Sequence, residues 1–128
     1  MGEVRRTRSG SPFEAQFGFC RALRIGERVW VAGTAPISAD GTVEPDPAAQ
    51  MRRCLEIVRK ALEQMGASMS DVVRTRMFVV DADDAAAVGA VHGEVFADNP
   101  PVATMVVVAS LLDPRWRVEL EVDAVLQA

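Results

Sequence analysis

The sequence predicts an α+β domain, a single layer of β-sheet in the order β-β-α-β-α-β-β with two helices on one face. Three observations predict it. Apolar residues recur at helical spacing in two stretches, 51–65 and 85–96, and strand-like apolar runs flank and separate them. The chain's 128 residues, 49% hydrophobic and 25% charged, suffice for one core and no more. Residues 1–128 are therefore read as one domain, with 1–16 as a flexible or extended N-terminal segment.

Residues 17–25 and 28–33 are two apolar runs joined by Gly26-Glu27, a pair suited to the turn of an antiparallel hairpin. Phe17, Phe19, Leu23 and Ile25 share one face of the first run, and Arg21 interrupts it. Gly41, Pro45 and Pro47 mark a loop. Asp46 can then cap a helix that has Pro47 at its first position, where the missing N–H costs nothing. Met51, Cys54, Leu55, Val58, Leu62 and Met65 line one side of this helix, charged residues line the other, and Gly66 stops it.

Residues 72–80 alternate and are rich in β-branched side chains, as a strand requires. A second helix starts at Asp81 or Asp83, carries Ala85, Val88, Val91, Val95 and Phe96 as its apolar stripe, and ends at Asn99-Pro100-Pro101. The run 102–112 is almost unbroken in apolar residues, which in a strand means burial on both faces. In the last strand Trp116, Val118, Leu120, Val122 and Ala124 alternate with Arg117, Glu119, Glu121 and Asp123. A sheet that packs helices on one face and stays this apolar needs a cover on the other, and self-association is the economical one.

Fourteen basic and eighteen acidic residues give a net charge of −4, so attraction to nucleic acid or anionic lipid is not favoured globally. Arg5, Arg6 and Arg8, set among serine and glycine, read as a solvated tail rather than a binding arm. Cys20 and Cys54 form no CxxC pair and follow no secretory signal, so reduced core thiols and a cytoplasmic location are expected. No apolar stretch approaches the ~18 residues of a membrane span.

HExxH, GxSxG, GxGxxG and GxxxxGK[ST] do not occur, which removes the sequence support for zinc proteases, serine hydrolases, dinucleotide-binding enzymes and P-loop NTPases. The single histidine, His92, lies at the edge of a helix stripe and reads as packing or solvent-facing. The row Glu119, Glu121 and Asp123 has two readings: a solvated strand face, or a rigid mount for a carboxylate that acts as general base. Arg21 likewise is either a strand-end or inter-subunit charge, or a guanidinium fork for a carboxylate ligand.

The hairpin, the order of elements, and the run Pro101-Val-Ala-Thr-Met-Val-Val-Val-Ala-Ser-Leu-Leu-Asp-Pro followed by Val118-Glu-Leu-Glu-Val together resemble the RidA/YjgF family of reactive-intermediate deaminases, also labelled endoribonuclease L-PSP, over roughly residues 17–126. The resemblance implies a chorismate-mutase-like subunit, a homotrimer, and ligand clefts between adjacent subunits. It also implies hydrolysis of enamines and imines such as 2-aminoacrylate, without cofactor or metal. The family's glutamate on the last strand matches Glu119, the catalytic candidate. Its carboxylate-gripping arginine falls at Ala103, its cysteine at Met105 and its cleft tyrosine at Phe19; with Arg21 and Gly33 these are the ligand-binding candidates.

Losing a bidentate clamp from a buried site costs about 2–5 kcal/mol. Ala103 therefore points away from ordinary 2-imino acids and leaves two function classes open. One is a hydrolase or deaminase of another small imine, enamine or related metabolite. The other is a non-catalytic trimer that binds a small metabolite. A ribonuclease or translation-inhibitor role suits the acidic chain poorly.

Overall fold

The computed structural model describes residues 3–127. In chain order it contains β1 (Val4–Thr7), α1 (Pro12–Phe17), β2 (Ala22–Ile25), β3 (Arg28–Thr34), α2 (Pro47–Gln64), β4 (Val72–Val79), α3 (Ala85–Phe96), β5 (Val102–Val107) and β6 (Val118–Val125), with 3₁₀ turns at Met69–Asp71 and Ala82–Asp84. The six strands form one sheet in the order β1-β2-β3-β6-β4-β5. Only β4 and β5 run parallel, joined by the α3 crossover.

The α+β class and the five strands and two helices expected from sequence are present, and the N-terminal segment adds β1 and α1. Val4–Thr7 pairs antiparallel with β2, and Ser11 caps α1 by accepting from the Phe13 N–H at 3.3 Å. The first expected strand is correspondingly shorter. Gly18, at φ 76°, ends α1 in the left-handed region, so Phe17 belongs to a helix and the chain re-enters the sheet only at Ala22.

Asp46 caps α2 through the Ala49 N–H at 2.9 Å, and the stripe from Met51 to Met65 is buried against the sheet. Val118, Leu120, Val122 and Ala124 of β6, at 0–2% exposure, meet it from below. Buried Gln50 ties the helix to the entry of β6, donating to the Glu44 and Arg115 carbonyls and accepting from the Arg117 N–H. Both cysteines are free thiols; Cys54 is in the core and Cys20 is half-buried. Among the described residues no helix is long and apolar enough to cross a membrane.

The run 102–112 departs from expectation. β5 covers only Val102–Val107 and pairs on one side alone, so it is an edge strand rather than one buried on both faces. Val102 and Val107 are 58% and 57% exposed, and Leu112 lies outside the sheet at 92%. An unbroken apolar run matches a doubly buried strand in composition, but the positions next to β5 are filled by β4 on one side and, among the described residues, by nothing on the other.

Candidate functional site

The site begins with a fault in a strand. The β3–β6 ladder pairs Val31 with Val122 and resumes with Thr34 opposite Leu120, so Ala32 and Gly33 share the single partner position of Glu121. This bulge advances the side-chain alternation by one residue and turns Thr34 into the core, fully buried. It also brings Gly33 under the carboxylate of Glu119: a Cβ on Gly33 would lie 2.3 Å from Glu119 Oε2. Glycine is required here by close approach, not by backbone angle.

Arg21, one residue before β2, is fixed by main-chain bonds from its N–H to the Thr7 carbonyl (2.8 Å) and from the Ala32 N–H to its carbonyl (2.9 Å). The residue is buried, at 9% exposure. Nη1 donates to the Gly33 carbonyl at 3.0 Å and to Thr34 Oγ1 at 2.8 Å, while Nε lies 3.7 Å from Glu14 and has no hydrogen-bond partner. The guanidinium carbon is 5.8 Å from the centre of the Phe19 ring. Burial pushes the Arg21 pKa down, and Glu14 and then Glu119 pull it back up.

The acidic row of β6 divides. Arg76 on β4 lies 3.2 Å from Glu121 and 3.7 Å from Asp123, so these two carboxylates are ion-paired on the open face of the sheet. Glu119, opposite Phe78 of β4, has no ion pair or hydrogen bond among the described residues and is half-buried. Burial pushes its pKa up, Arg21 opposes the rise, and Glu121 adds to it. The result is a carboxylate without an ion pair, its pKa held above that of an ordinary glutamate, and so suited to accept a proton.

Thus Phe19, Arg21, Gly33 and Glu119 are brought together, whereas Ala103 and Met105 are not. Ala103 is in register with Thr75 and Met105 with Met77, and Thr75 and Met77 face the helices. Met105 accordingly packs toward α3, its terminal methyl 3.9 Å from where a side chain on Gly89 would start. Within one subunit the β5 candidates occupy the opposite face of the sheet from Glu119. His92 also lies on the helix side, sharing a 2.8 Å hydrogen bond with Thr75 and packing on Phe96 at 4.6 Å. Burial lowers its pKa. Among the described residues no cluster of three or more His, Cys, Asp and Glu side chains is arranged to hold a metal ion.

Sequence reasoning passed over Glu14, which is 2% exposed and accepts from the N–H and hydroxyl of Ser9. A signal existed. Ser11-Pro12-Phe13-Glu14 is a helix-start signature with proline at the first position and glutamate at the third. The glutamate caps nothing here and instead turns inward to Arg21.

A family model described as Endoribonuclease L-PSP matches residues 10–126. An uncharacterized protein of Streptomyces coelicolor is 40% identical over 122 residues, covering 94% of this chain and 91% of that protein. A RutC family protein of Haemophilus influenzae is 36% identical over 112 residues, 84% of each chain. Among solved structures, a YjgF family member from Mycobacterium tuberculosis superposes with a TM-score of 0.90 at 43% identity, covering 97% of this chain and all of that one (100%). The YjgF gene product of Escherichia coli gives 0.82 at 27% identity, covering 95% and 94%.

Proposed function

The chain belongs to the RidA/YjgF family, the endoribonuclease L-PSP proteins, and from that premise we propose that it is a cofactor-free hydrolase of a small, uncharged imine or enamine. The observation that carries the proposal is Glu119: half-buried, without an ion-pair partner, raised in pKa, and seated over a glycine that leaves room for nothing but its carboxylate. In the proposed reaction the Glu119 carboxylate takes a proton from a water molecule as the water oxygen bonds to the imine carbon. That proton passes to the substrate nitrogen to give a carbinolamine; its hydroxyl proton then follows to the same nitrogen through Glu119 as the C=O bond forms and the C–N bond breaks, so ammonia and a carbonyl compound leave, an enamine entering the sequence as its imine tautomer. Arg21 opposes the rise in the Glu119 pKa by its charge rather than by a direct bond, its Nη1 being spent on Gly33 and Thr34 and its Nε facing Glu14 at 3.7 Å.

The proposal includes a homotrimer with the cleft between subunits. Exposed Val102, Val106 and Val107 along the unpaired edge of β5, and exposed Trp30 and Ile25 on the open face, are the surfaces that would be covered. Such an assembly would bring the exposed edge of β5, with Ala103, toward the Glu119 of a neighbouring subunit. A second reading rests on Ala103, which cannot grip a carboxylate: the trimer would bind a small metabolite without turning it over. The two readings separate in one assay. Ammonia release from a neutral imine, absent in Glu119→Gln, supports the hydrolase; ligand binding without ammonia release supports the binding protein.

A further inference from the structure

We propose that the cavity enclosed by the N-terminal segment, the loop after β3 and the adjacent face of α2 is a binding site for a small phosphate monoester. It measures about 620 Å³, within the range of small-molecule pockets. Arg8, Arg21, Arg53 and Lys60 line it, and no aspartate or glutamate does, in a chain whose acidic residues outnumber its basic ones eighteen to fourteen. The segregation is selective within α2 itself. Arg52 is paired with Glu94 at 3.5 Å, and Arg59 with Glu56 and Glu63 at 2.6 and 2.7 Å. Arg53 and Lys60, seven residues apart and so on one helix face, have no ion pair among the described residues.

Arg53 is held in place by its Nε, which donates to the Ile37 carbonyl at 3.1 Å, and its two terminal nitrogens have no partner among the described residues. Arg21 borders the cavity nine-tenths buried, its Nε without a hydrogen bond and its charge shared with Glu14 at 3.7 Å, so among the described residues Arg8, Arg53 and Lys60 carry the unpaired charge of the wall. The hydroxyl-bearing Ser38 and the apolar sides of Ile37 and Ile57 complete the wall. A phosphate monoester matches this set: its dianion presents three acceptor oxygens to several cations, and its organic body finds apolar wall. A monocarboxylate would neutralise one cation and leave the others facing one another.

The test is calorimetric titration of the full chain with phenyl phosphate, inorganic phosphate and benzoate. Phenyl phosphate is expected to bind with Kd below about 1 mM, with inorganic phosphate and benzoate each at least about tenfold weaker. Arg53→Gln and Lys60→Gln are each expected to weaken phenyl phosphate about tenfold at an unchanged melting temperature. Lys60 is exposed, so its variant folds even if the other does not. Absence of phenyl phosphate binding, binding of inorganic phosphate or benzoate as tight as that of phenyl phosphate, or undiminished binding by Lys60→Gln overturns the proposal. Binding is read as heat, without turnover, so its failure is separate from any failure of the Glu119 reaction.

Discussion

Gly33 and Glu119 cannot both carry a side chain at their present positions, and this sets the first prediction. Gly33→Ala puts a methyl 2.3 Å from Glu119 Oε2, a clash the flexible carboxylate can relieve by swinging aside. Folding is therefore expected to survive while hydrolysis falls by about tenfold or more, as a displaced catalytic group entails; steady-state kinetics and circular dichroism measure the two. Glu119 also sets the pH dependence. Its folded pKa is raised above the ordinary 4.5, so the protonated, inactive form persists to higher pH than for a free glutamate. The acid limb of the rate profile is expected above 4.5, with activity rising as pH rises through it. For Arg21, truncation to Ala leaves Glu14 buried without its cation, and a loss of about 3 kcal/mol is expected in urea unfolding. At this scale Glu119 and Arg21 were legible as one member of a strand row and one interruption of an apolar face. The division of the acidic row was not, because it depends on Arg76 from another strand.

At the scale of elements, legibility follows the range of the forces. α2 announces itself locally, through Asp46, Pro47, a 3.6-residue stripe and Gly66, and it forms where those signals say. α1 is a six-residue helix with weak periodicity, and its stability rests on Ser11 and on Glu14 docking into Arg21. Ser11→Ala is expected to cost about 1 kcal/mol, measured as a shifted urea midpoint. β5 fails the local reading because edge and centre positions are decided by topology, which the composition of one strand does not encode. The bulge at Ala32-Gly33 is similar: glycine in a strand hints at it, but only the register of β6 fixes its place.

For the whole molecule, the apolar edge of β5 and the open face of the sheet are the features one subunit leaves unsatisfied, and the proposed trimer is where they would be covered. Val106→Asp, at a half-exposed position on that edge, is expected to shift sedimentation equilibrium from three subunits toward one, because a charge enters an apolar contact. Hydrolysis by Glu119 is measured as ammonia release from a neutral imine by the wild-type chain and by Glu119→Gln, each with its mass and melting temperature recorded alongside. Turnover by the wild type, none above the uncatalysed rate by the variant, and the same mass and melting temperature for both are expected. A variant that releases ammonia as fast as the wild type would contradict hydrolysis by Glu119.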